Sequence, residues 1–455
     1  MHLGNARTAL FSFLAAQHEG GRFVLRIEDT DPVRSRDIYM TGLMEDLTWL
    51  ALHWDEGPER DAGQGPYQQS LRQAIYDGYY QQLETQGLAY PCFCTDEQLA
   101  LNRKIQLGTG RPPRYPGTCR HLSREEIQTK REQGLPSTLR FKIPTQQTIT
   151  FDDLVRGTQH FASDDIGDFI IRRANGTASF MFCNLIDDAL MGVTHALRGE
   201  DHLANTPRQL MLAQALNLTP PQYGHMALIL GSDGAPLSKR NGSRSISDLR
   251  QADYLPLAVV NYLARLGHYY EDNQLLTLEQ LAAQFELSRL QKAPARFDNN
   301  QLIYWQKMAL QALDSAQLWA QLDDATRQLV PLEQQQAFIA LIQPNMVFVQ
   351  EGYSWAHAFF AQELILTEEL QQVLVQAGNE FYRLACQAIE QTGVDFNALA
   401  HHLQQHLGVK GKALFQPLRV ALTGMLHGPQ LGPILELMGQ QRVLQRLTAA
   451  QTSLN

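Results

Sequence analysis

Two short stretches, over two hundred positions apart, carry the residue types that handle polyphosphate. The stretch from Leu228 to Gly242 opens with an apolar run of strand character and breaks at Gly231, Asp233, Gly234 and Pro236. It then presents Ser238, Lys239 and Arg240. Lys is a mobile point charge and Arg a bidentate fork, so this loop suits a polyphosphate and can close over charge that develops in a transition state. A basic surface turn is the plain alternative. At the other end, His2 and Gly4 stand before a helical pattern through Ala9 to Ala16. A helix start offers exposed backbone N–H groups, Gly4 permits close approach, and an imidazole can donate to a phosphate.

A second set of residues suits a ligand at strand ends. Glu28 to Asp31 form an acidic turn, with Asp31-Pro32 also able to start a helix. Arg198 ends a predicted strand, where a guanidinium can clamp a carboxylate. A third set suits a metal: Cys92-Phe93-Cys94 and Cys119-Arg120-His121 bring three thiols and an imidazole. That shell has no open position, so a zinc ion there would be structural. Unpaired cysteines falling together by chance are the alternative. Tyr115 is a possible accessory group, and Cys183 and Cys386 read as small core residues.

The elements that must position these groups follow from periodicity. Phe23 to Ile27 reads as a buried strand, with helices from Ile38 to Leu52 and Leu71 to Gly87. Asp168–Arg173 and Ala178–Asn184 read as strands returning to the first domain, followed by a strand into Arg198–His202 and a helix from Leu203 to Leu216. This is α/β, the pattern of a doubly wound nucleotide fold, whose ligands sit at strand carboxyl ends. After Arg240 the pattern is helical, and from about residue 315 there is no strand alternation. No internal repeat or low-complexity tail is present.

With 455 residues, 44% hydrophobic and 19% charged, the chain is an ordinary globular one of several domains. No apolar run approaches the ~20 residues of a membrane span. The Ala9–Ala16 run lacks a basic leader and a cleavage site, so it reads as a domain helix, not a signal peptide. Five cysteines without a secretion signal favour a reducing cytosol, hence a cytoplasmic protein. The net charge of −9 is unevenly spread, because residues 101–142 hold ten cations against three anions, a local +7. A basic stretch of this kind, with Tyr115 and Phe141 near, is a footprint for nucleic acid; a solvated charged helix is the alternative.

His2-Leu3-Gly4-Asn5 resembles the HIGH motif of class I aminoacyl-tRNA synthetases, and Pro236-Leu237-Ser238-Lys239-Arg240 resembles their KMSKS loop. With Arg26-Ile-Glu-Asp-Thr-Asp31, the cysteine spacing, Tyr254 to Gly267 and Lys410 to Gly424, the chain resembles the bacterial glutamyl-tRNA synthetase family over nearly its whole length. The resemblance implies a Rossmann-type catalytic domain in two parts, 1–87 and 181–235. Between them, 88–180 is the zinc-binding insert that holds the tRNA acceptor end. The KMSKS loop and helical connecting domain would be 236–314, and the all-helical anticodon-binding region 315–455. It assigns Glu28 to the substrate amino group, Asn184 to the substrate backbone and Arg198 to the glutamate side-chain carboxylate. Phe180 would face the substrate. Glu200 and Asp201 would line the ATP side, with His202 in the family pattern. His2, Gly4, Ser238, Lys239 and Arg240 would serve the phosphates, Cys92, Cys94, Cys119 and His121 the zinc, and Asp29 and Asp31 the structure. The implied substrates are L-glutamate, ATP with Mg2+, and tRNA(Glu), with tRNA(Gln) left open, acting on a monomer. An Arg clamp rejects neutral or shorter analogues by leaving a buried charge unpaired, so no editing domain is expected. The helical end sets this pattern apart from glutaminyl-tRNA synthetases, which end in β-barrels.

The sequence departs from the family twice. The family places a strand and a Ser-Pro-Thr-Gly turn with an Arg before the His-x-Gly, whereas here Met1 precedes His2 directly, as in a chain truncated just before that motif: either the start is misassigned or the central sheet lacks an inner strand. Phe180 also stands where the family has a Tyr. The alternative reading is therefore a tRNA-binding paralogue that does not activate an amino acid.

Overall fold

The computed structural model describes residues 1–30, 37–110, 112–238 and 244–454. The chain divides into two compact units, Met1–Leu249 with Val260–Asp298, and Arg250–Val259 with Asn299–Asn455.

The first unit begins with α1 (Leu3–His18), which buries Leu3, Ala6, Arg7, Leu10, Phe11 and Leu14 at helical spacing. α2 (Asp37–Trp49) and α3 (Gln73–Thr85) follow. Then come β1 (Ala89–Cys92), α4 (Asp96–Gly108), α5 (Arg124–Glu132), β2 (Thr138–Phe141), β3 (Thr148–Asp153), β4 (Gly157–Ala162), α6 (Ser163–Ile166) and β5 (Phe169–Arg172). β1, β2 and β5 form an antiparallel sheet in that order, and β3 and β4 form a separate hairpin. Thr95 and Ser123 start α4 and α5 with capping boxes, satisfying N–H groups that those short polar helices bury nowhere else. α7 (Phe180–Leu190) leads to β6 (His195–Gly199), α8 (Thr206–Leu216) and β7 (Gln222–Met226). β6 and β7 pair in parallel, which is the βαβ unit expected of a doubly wound fold, and no third strand joins them among the described residues. β8 (Ile229–Leu230), α9 (Ile246–Gln251), α10 (Pro256–Ala264), α11 (Leu278–Ala283) and β9 (Ala295–Arg296) follow, β8 pairing in parallel with β9 and borders between the units falling within α9, within α10 and after Asp298.

Two expected strands take other forms. Phe23 to Ile27 makes only isolated parallel bridges, Val24 with Glu56 and Ile27 with Gln68. Its hydrogen bonds alternate between two segments, Leu25 N–H to Glu56 O and Ile27 N–H to Tyr67 O, so no single neighbour supplies a ladder. Ala178–Asn184 is not a strand: the chain turns at Ser179 and Phe180 opens α7. Phe182, Cys183, Leu185 and Ile186 are all buried there, and a continuous apolar run suits a buried helix as well as a buried strand.

The second unit is helical, as expected. α12 (Asn299–Gln311), α13 (Ser315–Gln321), α14 (Asp324–Leu329), α15 (Gln335–Ile342) and α16 (Glu351–Phe360) precede α17 (Glu368–Ala377), α18 (Asn379–Thr392), α19 (Phe396–Leu407), α20 (Lys412–Thr423) and α21 (Leu431–Thr452). α21 bends at Gly439, whose φ of 73° breaks the helical backbone. One core runs through this unit, with Phe338, Phe359, Phe381, Leu399, Leu418 and Ile434 buried in it. Cys386 packs at the rim of that core, only partly buried, while Cys183 of the first unit is fully buried.

Candidate active site

Backbone pairing ties the start of α1 to Ser245 and Ile246, which follow the loop expected to handle phosphate. His2 is exposed at the start of α1, makes no side-chain cap bond, and pairs with Ser245 in an antiparallel bridge. Ile246 N–H also donates to Met1 O at 2.8 Å. Gly4 lies in the first turn of α1, where an added Cβ would meet nothing within 4 Å, so that face of the helix is open. β8 runs into the loop, where Leu237 N–H returns to Ile229 O at 2.8 Å and Gly234, at φ 77°, makes the turn. Ser238 is exposed; Lys239 and Arg240 lie outside the described residues.

Beside this, Asn184 of α7 donates its Nδ2 to Glu28 Oε1 at 2.8 Å. Gln69 Nε2 in turn donates to Asn184 Oδ1 at 3.0 Å and Asp187 Oδ2 at 2.9 Å. Asp187 is fully buried and also accepts from Arg72 Nε at 2.6 Å and Tyr76 Oη at 2.7 Å. Arg26 bonds Asp188 Oδ1 at 2.7 Å and lies 3.5 Å from Glu28. The Glu28 side chain keeps 40% of its surface accessible. Desolvation there raises its carboxyl above the usual range, with the Asp188 charge adding to that and Arg26 opposing it. Burial alone would lower the Arg26 guanidinium, but Asp188, Glu28 and Asp187 hold it charged. Asp29 accepts from Ser70 N–H at 2.8 Å, Ser70 Oγ at 2.7 Å and Gln68 Nε2 at 2.6 Å, a structural anchor as expected, while Asp31 lies outside the described residues.

Arg198 sits at the carboxyl end of β6. Its Nε donates to His225 Nε2 at 3.0 Å and its Nη2 to Thr206 Oγ1 at 2.7 Å, with its carbon 4.5 Å from the Tyr223 ring centre. Burial lowers its pKa, against the pull of Tyr223, Asp188 and Glu28. Phe180 and His202 lie with ring centres 5.1 Å apart. Burial also lowers the His202 pKa, favouring its neutral form, although Asp201 opposes this. Glu200 is tied to Arg156 and to Leu228 N–H at 3.0 Å, just before β8, whereas Asp201 is exposed.

Cys92, Cys94 and Cys119 come together, their sulfurs all within 4.8 Å of one another. Burial would raise the Cys92 thiol, yet hydrogen bonds from Tyr115 and Arg140 bring it down to about 7. His121 is exposed and does not belong to this group. Tyr115 takes its place: the hydroxyl lies 3.3 Å from Cys92 Sγ and 3.6 Å from Cys94 Sγ and accepts from Cys119 N–H at 2.9 Å. The ring is itself covered by Arg140 at 3.8 Å. Arg140 is thus an internal residue, and Arg120 pairs with the buried Asp168, so the exposed cations of this basic stretch include Arg103, Lys104, Arg114, Arg124 and Arg131 but not those two.

Sequence reading passed over Arg7, Gln69, Arg72, Asp153, Asp187, Tyr223 and His225. Arg7 is buried and donates to Leu266 O at 3.1 Å and Ala227 O at 2.5 Å, tying α1 to the chain before β8. Burial lowers its pKa to about 10, with Glu200 opposing. The Asp187-Asp188 pair directly after Leu185-Ile186 was the available signal, since ionised residues inside an apolar run must be paired when buried.

The sequence pattern described as tRNA synthetases class I (E and Q), catalytic domain, matches residues 1–304, and that of an anticodon binding domain matches residues 302–451. A protein named glutamate–tRNA ligase 2 from Nitrosococcus oceani is 54% identical over 447 residues, covering 98% of this chain and 95% of the relative. One of the same name from Coxiella burnetii is 52% identical over 450 residues, covering 99% and 97%. Among solved structures, a glutamate tRNA ligase from Elizabethkingia meningosepticum in complex with its amino acid aligns with a TM-score of 0.88 at 28% identity, covering 100% of this chain and 97% of that one. The glutamate-tRNA synthetase of Elizabethkingia anophelis aligns with a TM-score of 0.86, also at 28% identity. With an open helix start at His2 and Gly4, a guanidinium fixed at the end of β6, and the two sequence patterns together matching residues 1–451, the chain belongs to the class I tRNA synthetases of the E and Q type, a catalytic domain followed by an anticodon-binding domain.

Proposed function

We propose that this protein is a glutamate–tRNA ligase. A glutamate α-carboxylate oxygen attacks the α-phosphorus of ATP, the bond to pyrophosphate breaks, and glutamyl-adenylate forms. The terminal ribose hydroxyl of tRNA(Glu) then attacks the acyl carbon, AMP leaves, and the hydroxyl proton passes to it or to solvent. Positioning and charge stabilisation supply most of the catalysis. Glu28 receives the substrate ammonium, Asn184 its backbone and Arg198 its side-chain carboxylate, with Phe180 against the substrate. His2, the open turn at Gly4, Ser238, Lys239 and Arg240 hold the phosphates, Asp201 lies on the ATP side, and Mg2+ accompanies ATP to neutralise its charge. The observation that carries this reading is Arg198: two of its nitrogens are committed to His225 and Thr206, which fixes the guanidinium plane, and the charges of Asp188 and Glu28 act on it. The experiment is glutamate-dependent ATP–pyrophosphate exchange with tRNA present. Exchange is expected; tRNA binding without exchange would favour the non-activating paralogue.

The insert from 88 to 180 is read as the holder of the acceptor end, and the helical region from about 315 as the reader of the anticodon. A cavity of about 850 Å3 in the helical unit, lined among others by Phe396, Phe415, Arg419, Asp395 and Glu436, supports that second part through its aromatic lining. The protein acts as a cytoplasmic monomer.

Three soft donors within reach of one another fit Zn2+. Cys92, Cys94 and Cys119 would hold it, with Tyr115 or His121 as the neighbouring fourth group. The ion would supply a structural clip for an insert with little apolar core of its own. Metal analysis of the purified protein is expected to find about one equivalent of zinc, lost in Cys119→Ser; less than about a tenth, with no effect of a chelator, would remove the zinc reading.

A further inference from the structure

The guanidinium at the end of β6 is held by a chain of buried groups that begins in another part of the unit. The turn after β3 carries Asp153, whose Oδ1 accepts backbone N–H groups from Val155 at 3.0 Å, Arg156 at 2.8 Å and His225 at 3.1 Å. Its Oδ2 lies 2.5 Å from His225 Nδ1. The opposite ring nitrogen, Nε2, receives Arg198 Nε at 3.0 Å and lies 3.1 Å from Thr206 Oγ1. Both Asp153 and His225 side chains have no accessible surface. The close approach depends on Gly224 of β7, where an added Cβ would lie 2.6 Å from Leu197 Cδ2 and 3.3 Å from Leu154 Cβ. A larger residue there would require Leu197 to move and the segment at Leu154 to give by a few tenths of an ångström.

This geometry fixes a tautomer. Arg198 Nε is always a donor, so His225 Nε2 must be an acceptor and the imidazole proton must reside on Nδ1, donated to Asp153. We propose that Asp153 and His225 are positioning residues that set the plane of the Arg198 guanidinium, and thereby the affinity for the carboxylate it clamps, through this fixed tautomer. The proposal builds on the reading that Arg198 binds the glutamate side chain. Neither residue touches the substrate.

Asp153→Asn is the sharpest test, because it is nearly isosteric. The amide oxygen keeps the three backbone N–H groups, which turns its NH2 toward His225 Nδ1. The ring must then carry its proton on Nε2, opposing Arg198 Nε donor to donor. In pyrophosphate exchange with tRNA present, the glutamate KM is expected to rise about 10- to 100-fold, the effect of losing a buried hydrogen bond to a charged group, with the ATP KM within about twofold of wild type. His225→Gln places an amide oxygen where it can accept from Arg198 without a tautomer. In that background Asp153→Asn is expected to add little, so the double-mutant cycle shows strong coupling. Equal rises in both KM values, or additive effects of the two substitutions, would mean a merely structural role and overturn the relay. Should Asp153→Asn fail to fold, His225→Gln against His225→Leu serves instead: near-wild-type glutamate KM in the first and a large rise in the second is expected, and equal rises overturn the proposal. Arg198→Lys is the separate control. If it leaves the glutamate KM unchanged, the clamp reading itself fails; if it raises that KM while Asp153→Asn does not, only the relay fails.

Discussion

Among the described residues, the helical unit buries Gln306, Thr326, Thr423 and Arg446 as its polar side chains. The unit that carries the site buries Arg7, Arg72, Asp153, Asp187, Asp188, His225 and others besides. The first holds together by filling space with Leu, Ile and Phe; the second spends stability on groups fixed by directional bonds. A hydrophobic core tolerates imprecision of position, whereas a guanidinium that must meet a carboxylate does not. Buried charge in the catalytic unit is the physical cost of that precision, and its sensitivity should differ accordingly.

The comparison breaks most visibly at Asp187. Asp187→Ala leaves the buried Arg72 guanidinium without its carboxylate and should destabilise the protein by ~3–5 kcal/mol, read from the denaturant midpoint. Replacing both partners, Arg72→Met with Asp187→Leu, should cost less than the single change, because no charge is then stranded. A double variant as unstable as the single one would show that the pair contributes more than it costs. In the helical unit Phe338→Ala should lose ~3–5 kcal/mol by a different route, the cavity left in α15. There a second, filling substitution on a facing residue should restore stability, as no isosteric trick is needed.

His268 sharpens the same contrast through pH. It is 2% exposed, stacked on Phe285 at 4.7 Å, and burial lowers its pKa to about 4. The unfolded chain therefore binds a proton that the folded one refuses between the ordinary imidazole value and that lowered one. Stability is full above the unfolded pKa near 6.5 and should fall by about 3 kcal/mol as pH drops through that window. His268→Gln should flatten this slope in urea titrations at matched pH. The smallest effect is expected at Asp314, whose carboxylate caps α13 by accepting Gln317 N–H at 2.7 Å. Asp314→Ala should cost ~1 kcal/mol, measured by thermal unfolding.

The same division separates what could be read from the chain and what could not. In the helical unit the apolar period alone gave helices and no strands, since one buried stripe per helix decides the structure. In the catalytic unit periodicity misread Phe23–Ile27 and Ala178–Asn184. A segment bonded alternately to Glu56 and Tyr67 has no pattern of its own, and a fully buried helix shows no polar face. Glu28, Asn184 and Arg198 were nameable because their motifs are local. Gln69, Asp153 and His225 act only across long separations, and nothing next to them in the chain signals it.

The order of residue types thus determined the helical end and the thiol trio, because each follows from period or short spacing. Tertiary structure alone decided that Tyr115, not His121, meets the sulfurs, that Arg120 and Arg140 turn inward, and that Asp153 reaches Arg198 through His225. Those are questions of direction and burial in three dimensions. A hydrogen bond between residues 72 positions apart is settled by how a hairpin seats on a strand at Gly224, which no local stretch encodes.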